Sequence, residues 1–187
     1  MKNVAIVLLL LINVHVFAQQ GKPDNIKTFI PPDYELLHSK TGDLNKDSYP
    51  DMVLILKAKE EKVNEDLPRP LILLVGTATS EYKLIARNDS VVLCKGCGGV
   101  HGDPYEGITI KNGYFSIEHY GGSGWRWTRI ITFKYDSKTK EFKLHRDAGV
   151  SYHIGNANKQ KDERHNKEDW GKLSFIAFNN EKLFAKK

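Results

Sequence analysis

Cysteine, methionine and long apolar segments are scarce in this chain of 187 residues. Cysteine and methionine occur twice each, which excludes a scaffold built on several disulfides and a zinc ribbon with two cysteine pairs. After residue 12 no apolar run approaches the ~20 residues that cross a bilayer. No segment repeats at a fixed period, which excludes a complete propeller. The net charge is only +5 and the charges are interspersed, so nothing indicates a nucleic-acid partner.

The first 18 residues have the composition of a secretory signal peptide. Lys2 precedes an apolar run over residues 4–12, and a cleavage signal ends at Ala18. Asn13 and His15 follow that short run, which favours a cleaved signal over a membrane anchor. We therefore expect residues 1–18 to be removed. Residues 19–187 would form a single β-rich domain outside the cytoplasm, in the periplasm or fully secreted.

Cys94 and Cys97 are the only cysteines, and in an exported chain they are expected to form a disulfide. Closing so short a loop removes little entropy from the unfolded chain, so the bond would fix a local turn. Two alternatives remain open. One is a zinc site that adds His101 and Asp103. The other is a redox pair, although no helical pattern follows the cysteines to lower a thiol pKa.

The second half of the chain predicts an antiparallel meander of four strands. The Asn-Gly pair at residues 112–113 supplies the positive φ angles of a tight hairpin turn. A two-residue loop then places Ile110 opposite Phe115 and Ile108 opposite Ile117, with all four side chains on one face. Because that face is entirely apolar, the register agrees with burial against a core.

The third strand of this meander alternates over residues 125–135, with aromatic and apolar side chains mostly on one face. A glycine-rich turn at residues 121–124 would place Ile117 opposite Trp127 across the strands. A further turn at residues 136–140 leads to the fourth strand.

Two polar residues fall on the apolar face of the meander. Alternation turns His119 inward, where a lone histidine is usually a hydrogen-bonded core residue. Arg129 falls on the same face among aromatic residues, which predicts that it stacks on Trp127.

Apolar runs predict the remaining strands, at residues 52–56, 71–75, 82–86, 91–93, 142–144 and 170–178. The first two runs are apolar at nearly every position, which is typical of strands covered on both faces. Residues 159–169 are charged and predict a solvated loop or short helix. The result is an all-β, mainly antiparallel fold of about eight strands with little helix, either a two-sheet sandwich or a meander like a propeller blade.

Oxygen-bearing side chains recur at regular positions of the loop at residues 43–51. The set that would bind a cation comprises the side chains of Asp43, Asn45, Asp47 and Asp51 and the carbonyl of Tyr49. Calcium takes about six to eight oxygen ligands of this kind. An Asx-rich turn would instead use these carboxylates to cap backbone amides. Three carboxylates this close repel one another without a cation, which favours calcium.

The segment Gly42-Asp-Leu-Asn-Lys-Asp-Ser-Tyr-Pro-Asp-Met-Val-Leu resembles the calcium loop and following strand of FG-GAP and VCBS-type repeats. The pattern there is Asp-x-Asp/Asn-x-Asp-Gly-x-x-Asp; the Asx residues match its ligand positions, and Ser48 replaces the usual glycine. The resemblance covers residues 42–54 and implies a calcium ion and a β context, but no activity. The chain also resembles small exported bacterial proteins of unknown function that carry one such loop.

Two glycine-rich loops carry the remaining candidate residues, because functional side chains on a rigid sheet concentrate in loops. The loop at residues 94–107 contains the residue types of acid–base hydrolysis or, alternatively, ordinary polar groups on a fixed turn. Its candidate catalytic residues are His101, Asp103 and Glu106. At the loop of residues 121–125, the predicted ligand contacts are Tyr120, Ser123, Trp125 and Arg126. Its serine–glycine tip is loosely similar to loops that periplasmic lysozyme inhibitors insert into an active site.

These patterns favour an exported, calcium-bound β-domain that acts as a ligand-binding, protein-binding or structural module. Its partner would be a protein or a carbohydrate, without nucleic acid and without a membrane span in the mature chain. The alternatives are a hydrolase that uses residues 101–106 and an inhibitor of a cell-wall hydrolase that acts through residues 121–125. No catalytic arrangement stands out, so we favour a role without catalysis.

Overall fold

The computed structural model describes residues 24–180; the predicted signal peptide at residues 1–18 lies outside them. The strands are β1 (Tyr34–Gly42), β2 (Asp51–Ala58), β3 (Arg69–Gly76), β4 (Tyr82–Val92), β5 (Tyr105–Lys111), β6 (Tyr114–Gly122), β7 (Trp125–Asp136), β8 (Glu141–His153) and β9 (Asn156–Arg164). Short 3-10 helices are η1 (Asp24–Phe29), η2 (Lys59–Lys62), η3 (Lys95–His101) and η4 (Lys167–Asp169). None of the helices described is long and apolar enough to cross a bilayer.

The strands form two antiparallel sheets in which spatial order follows sequence order. The first sheet has the order β1-β2-β3-β4, and the second has the order β5-β6-β7-β8-β9. The predicted two-sheet, mainly antiparallel fold is confirmed, with nine strands in residues 24–180 where the sequence indicated about eight. Each sheet is by itself an up-and-down meander, because short connections join neighbouring antiparallel strands.

The main hydrophobic core lies between the two sheets. Its side chains alternate along the strands, as one-sided burial requires. They include Val53, Ile55, Leu71 and Leu73 from the first sheet and Phe115, Ile117, Ile131 and Phe133 from the second. A second cluster covers the other face of the first sheet, where Leu54, Ile72 and Leu74 pack beneath Ile26 of η1. Strands β2 and β3 are therefore buried on both faces, as their continuous apolar runs predicted.

The hairpin of β5 and β6 confirms the predicted register. Ile110 pairs with Phe115 and Ile108 pairs with Ile117. The turn residues Asn112 and Gly113 have φ angles of 55° and 77°, the positive values that a primed turn needs.

The predicted register of β6 and β7 is wrong. Ile117 pairs with Ile131, and Trp127 pairs with Gly121. Strand β6 continues through Gly121, where a β-carbon would lie 2.5 Å from Cζ2 of Trp127. The glycines therefore belong to the strand rather than to a long turn, because the Trp127 indole occupies the space of a side chain at position 121.

The charged segment at residues 159–169 was predicted as a loop or short helix, and that prediction is wrong for its first half. Residues up to Arg164 form β9, which pairs with a β8 of 13 residues. Its charged side chains suit an edge strand, since charge discourages pairing with another molecule. The residues of β9 have little β propensity of their own, so β9 forms because it pairs with the long strand β8.

Residues 170–178 were predicted as a final strand and instead form turns with one isolated bridge, between Lys143 and Ser174. Phe175 and Phe178 from this segment enter the core between the sheets. The segment is fixed by the side chain of Asn88, whose Nδ2 donates to the carbonyls of Phe175 and Phe178 at 2.6 and 2.8 Å.

The segments at 82–86 and 91–93, predicted as two strands, are largely one strand, β4. The polar residues between them interrupt the apolar pattern, but pairing with β3 continues through two register shifts. Bulges of this kind let an edge strand remain paired across an irregular sequence.

Candidate functional site

The side chains of the predicted calcium loop fold back onto their own backbone between β1 and β2. Asp43 Oδ1 accepts the N–H of Lys46 at 2.6 Å. Asn45 Oδ1 accepts the N–H of Asp47 at 3.0 Å, and Asp47 Oδ1 accepts the N–H of Tyr49 at 2.9 Å. These are the contacts of consecutive Asx turns.

Asp51 lies at the start of β2 and is fully buried. Its Oδ2 accepts the N–H groups of Leu44 and Asn45 at 2.7 and 3.2 Å, and its Oδ1 accepts the N–H of Gly76 at 3.0 Å. Burial raises the pKa of Asp51; the amide hydrogen bonds oppose the rise, and the negative charge of Asp47 adds to it. Asp51 thus links the calcium loop to the end of β3.

The chemistry of this loop fits a hard cation. All five predicted donors are oxygens, and a bound cation would relieve the repulsion between Asp47 and Asp51. Ser48, at the position where the FG-GAP-type pattern has glycine, has a φ of 71°, in the region that favours glycine. Within residues 24–180, no three His, Cys, Asp or Glu side chains converge closely enough to hold a metal ion. Calcium binding by this loop therefore stays a prediction.

The predicted disulfide between Cys94 and Cys97 is present and opens η3. Helix η3 rests on the segment that follows η2: the Gly96 N–H donates to the Glu65 carbonyl at 2.9 Å, and Lys95 forms an ion pair with the Glu65 carboxylate. The disulfide therefore fixes a turn, and its sulfurs are bonded to each other rather than free as thiolate ligands.

Asp103, one of the candidate catalytic residues, forms an ion triad with Arg69 and Glu61, in which Asp103 is exposed and the other two residues are buried. Arg69 is fully buried and donates two hydrogen bonds of 2.7 Å to Asp103 and two of 2.6 and 3.0 Å to Glu61. Burial raises the pKa of Asp103, but the hydrogen bonds from Arg69 and from the Tyr105 N–H, together with the positive charges of Arg69 and Lys95, outweigh burial, so the net shift is downward. The signal for this arrangement in the sequence is Arg69, a charged residue separated from the apolar run of β3 only by Pro70.

His101 and Glu106, the other two catalytic candidates, have different surroundings. The ring of His101 contacts the ring of Tyr120 edge to face, with 4.6 Å between centroids. Glu106 is exposed on β5. In the part of the chain that the structure describes, no hydrogen bond joins the three candidates. A joint role in hydrolysis stays a prediction.

The two predicted glycine-rich loops lie against each other at one end of the second sheet. The Tyr120 N–H donates to the Pro104 carbonyl at 2.8 Å. A β-carbon at Gly121 would lie 3.0 Å from the Gly98 carbonyl. Helix η3 and the segment that follows it therefore cover the edge of β6 beyond the end of β5, and bring His101 onto Tyr120.

A row of ring and polar side chains crosses the outer face of the second sheet at this end. Register places Arg126 opposite Tyr152 and Tyr152 opposite Gln160. The Tyr120 and Tyr152 hydroxyls lie 3.2 Å apart in a hydrogen bond, and the Arg126 guanidinium lies 6.0 Å from the Tyr120 ring centroid. We call the outer face formed by His101, Tyr120, Arg126, Tyr152 and Gln160 the tip surface. Tyr152 and Gln160 were not identified from the sequence, because β8 was predicted too short and β9 not at all.

The opposite face of the same hairpin tip carries Trp125, whose side chain is 43% exposed. Its ring lies 5.4 Å from the ring of His153, and Lys161 Nζ lies 5.5 Å from its centroid. The exposed Ser123 lies at the tip itself. The Ile154 N–H donates to the Gly124 carbonyl at 3.0 Å, so the tip is held against the turn between β8 and β9.

His119 and Arg129 are both buried behind the tip surface. Nε2 of His119 accepts the Leu93 N–H at 3.2 Å, which confirms a hydrogen-bonded core histidine. Burial, followed by the charge of Arg129, lowers the pKa of His119 to about 3. The predicted stacking of Arg129 on Trp127 is replaced by two hydrogen bonds of 2.7 and 2.6 Å to the buried carboxylate of Asp147, because a buried guanidinium needs a charged partner.

Comparison with models of protein families, with curated proteins and with solved structures gave no match. The resemblance of residues 42–54 to FG-GAP-type loops therefore rests on the residues of the loop alone.

Proposed function

We propose that this chain is an exported carbohydrate-binding module, with the tip surface as its binding site and the calcium loop as a structural element. The observation that carries the proposal is the junction of the two glycine-rich loops, which places His101, Tyr120 and Arg126 beside one another. Tyr152 and Gln160 extend the surface across two further strands.

The side chains of the tip surface suit a sugar ligand better than a protein partner that binds through a buried apolar side chain. Tyrosine rings offer flat faces to the C–H groups of a sugar, and their hydroxyls bind its hydroxyl groups. Arg126 and Gln160 add donors and an acceptor on the same face. Strong protein interfaces instead centre on buried apolar or aromatic residues surrounded by a polar rim.

The calcium loop lies at the other end of β6 and would act on the fold rather than on the ligand. Leu44 of this loop is buried in the core between the sheets. The side chain of Lys46 lies against the β5–β6 turn, where a β-carbon at Gly113 would be 2.7 Å from Lys46 Cε. A cation in this loop would therefore stabilise the contact between the two sheets.

Affinity electrophoresis of the full-length protein through gels that contain neutral or acidic polysaccharides tests this function. We expect retardation by at least one polysaccharide, and we expect Tyr152→Ala to abolish it. Tyr114→Ala is the matched control, because Tyr114 lies on the same face at the far end of β6, with Lys134 Nζ 5.4 Å from its ring centroid. Equal loss in both variants, or no retardation by any polysaccharide, would refute the proposal.

Inhibition of a cell-wall hydrolase is a second candidate, favoured by the geometry of the hairpin tip. The backbone of the tip is fixed by the Ser123 N–H, which donates to the Trp125 carbonyl at 2.9 Å, and by the Ile154 contact to Gly124. A rigid, exposed tip loses little entropy when it enters an active site. Lysozyme activity assays with and without the protein test it: inhibition that Ser123→Trp abolishes would support this role, and undiminished lysozyme activity would refute it.

A further inference from the structure

We propose that the ligand of the tip surface is an acidic glycan whose carboxylate or sulfate binds Arg126 while a sugar ring packs on Tyr152. This inference rests on the proposed carbohydrate-binding function and assigns the charge of the ligand. Four observations support it: the free N–H groups of Arg126, the contacts that hold its guanidinium in place, its position in the row and the charges around it.

Arg126 differs from the buried arginines Arg69 and Arg129 because its hydrogen-bond partner is a backbone carbonyl and theirs are carboxylates. Arg69 and Arg129 each bind carboxylates of this chain through more than one N–H group. Among the described residues, Arg126 has no carboxylate partner, and its one hydrogen bond is the 3.0 Å donation from Nη1 to the Gly122 carbonyl. A guanidinium has five N–H donors, so most of those of Arg126 remain for a ligand.

The guanidinium is also held in place before any ligand arrives. Its bond to the Gly122 carbonyl and its position 6.0 Å from the Tyr120 centroid restrict its rotamers. The Tyr120 ring is itself held between His101 and the hydroxyl of Tyr152. A cation that is already ordered loses less entropy when it binds an anion.

The position of Arg126 in the row determines how the ligand would lie. Arg126, Tyr152 and Gln160 stand on adjacent strands, so the row extends about 10 Å across the strands. A sugar ring on the tyrosine would direct an anionic group toward Arg126 and hydroxyl groups toward the Gln160 amide. Arginine is the side chain best suited to a planar carboxylate or a sulfate, because its N–H groups match their oxygens in pairs.

The surrounding charge argues against a polynucleotide as the anion. Strand β9 mixes the basic residues Lys159, Lys161 and Arg164 with the acidic residues Asp162 and Glu163, and Glu118 lies on the outer face of β6 beside the row. Nucleic-acid surfaces bind several phosphates with a continuous basic patch, whereas the charges of β9 and of Glu118 beside the row are of mixed sign. A single anionic group on a sugar matches that pattern.

Matched pairs of ligands test the inference in the full-length protein. Oligogalacturonate and its fully methyl-esterified form differ in the carboxylate charge, and dextran sulfate and dextran differ in the sulfate. By isothermal titration calorimetry, we expect at least one acidic member to bind at least tenfold more tightly than its neutral partner. Which pair shows the difference identifies the anion as a carboxylate or a sulfate.

Substitutions assign the effect to Arg126. Arg126→Gln should remove the preference for the acidic member, and Arg126→Lys should retain only part of it, because an ammonium cannot bind a carboxylate through two N–H groups. Lys161→Gln is the matched control, since Lys161 also lies over an aromatic ring, on the other face of the tip, and should keep the preference. The melting temperature of each variant shows whether it is folded.

Three outcomes would overturn the inference. Equal binding of the charged and neutral members would refute an acidic ligand and leave the carbohydrate-binding function standing. Binding of a DNA oligonucleotide as tight as that of the preferred glycan would show a general polyanion site instead. Failure of every glycan to bind would refute both the inference and the function on which it rests.

Discussion

Acidification from about pH 6.5 to pH 5 should destabilise this protein through the buried imidazole of His119. Burial lowers the pKa of His119 from 6.5 to about 3, so between these values the unfolded chain binds a proton that the folded protein excludes. The stability that the neutral imidazole contributes is therefore complete above pH 6.5 and is lost as the pH falls toward 3. At 1.36 kcal/mol per pH unit, the loss over this interval is about 2 kcal/mol.

Urea denaturation of the wild type and of His119→Gln at both pH values measures this loss. Glutamine can still accept the Leu93 N–H, so the variant should fold, and its free energy of unfolding should change by about 2 kcal/mol less than that of the wild type. Carboxylates that titrate in both proteins cancel in the difference. The matched control His145→Gln replaces an exposed histidine and should keep the wild-type dependence. Equal changes in the free energy of unfolding of the wild type and of His119→Gln between the two pH values would refute the argument.

Three other changes test the calcium loop, the ion triad and the junction of the two glycine-rich loops. Millimolar calcium, but not magnesium, should raise the midpoint of thermal unfolding, and Asp47→Ala should abolish the rise; an unchanged wild-type midpoint would contradict the predicted site. Arg69→Met should lower the free energy of urea unfolding by about 3–5 kcal/mol, because Glu61 keeps a buried charge without its partner; a loss below about 1 kcal/mol would contradict a buried pair of Arg69 and Glu61. Gly121→Ala should cost about 1–3 kcal/mol in the same assay, since its β-carbon meets the Trp127 indole; unchanged stability would show that this packing is looser.

Local chemistry explains which parts of the fold the sequence predicts correctly. The Asn112-Gly113 turn specifies its own geometry, so the register of β5 and β6 follows from two residues and an apolar pattern. The double burial of β2 and β3 likewise follows from apolar residues on both faces of each strand.

The errors lie where a distant partner decides the structure. Gly121 resembles a turn residue, but Trp127 requires a strand residue without a side chain at that position. Strand β9 exists because β8 extends beyond its apolar segment, and the polar residues of β9 give no sign of this by themselves. Phe175 and Phe178 of the 170–178 segment pack between the two sheets, while the segment pairs with β8 only through one isolated bridge, which periodicity within one segment does not predict.

The candidate site was predicted in its parts but not in its assembly. The sequence analysis singled out both glycine-rich loops and predicted four ligand contacts, including Tyr120 and Arg126. The sequence did not indicate that η3 covers the edge of β6, because that contact depends on where β5 begins. Asp103 shows what residue type alone leaves out: it forms an ion pair with Arg69, which no local pattern reveals, and its predicted catalytic role stays a prediction.

Amide chemical-shift mapping during titration with oligosaccharides tests the central claim most directly. The titration uses isotopically labelled full-length protein with oligogalacturonate, its methyl ester and dextran oligomers. The account predicts that at least one ligand shifts amides around His101, Tyr120, Arg126, Tyr152 and Gln160, while the calcium loop at the far end of β6 is unaffected. Shifts confined to the groove between β4 and residues 176–179, or no shifts with any of the sugars, would contradict it.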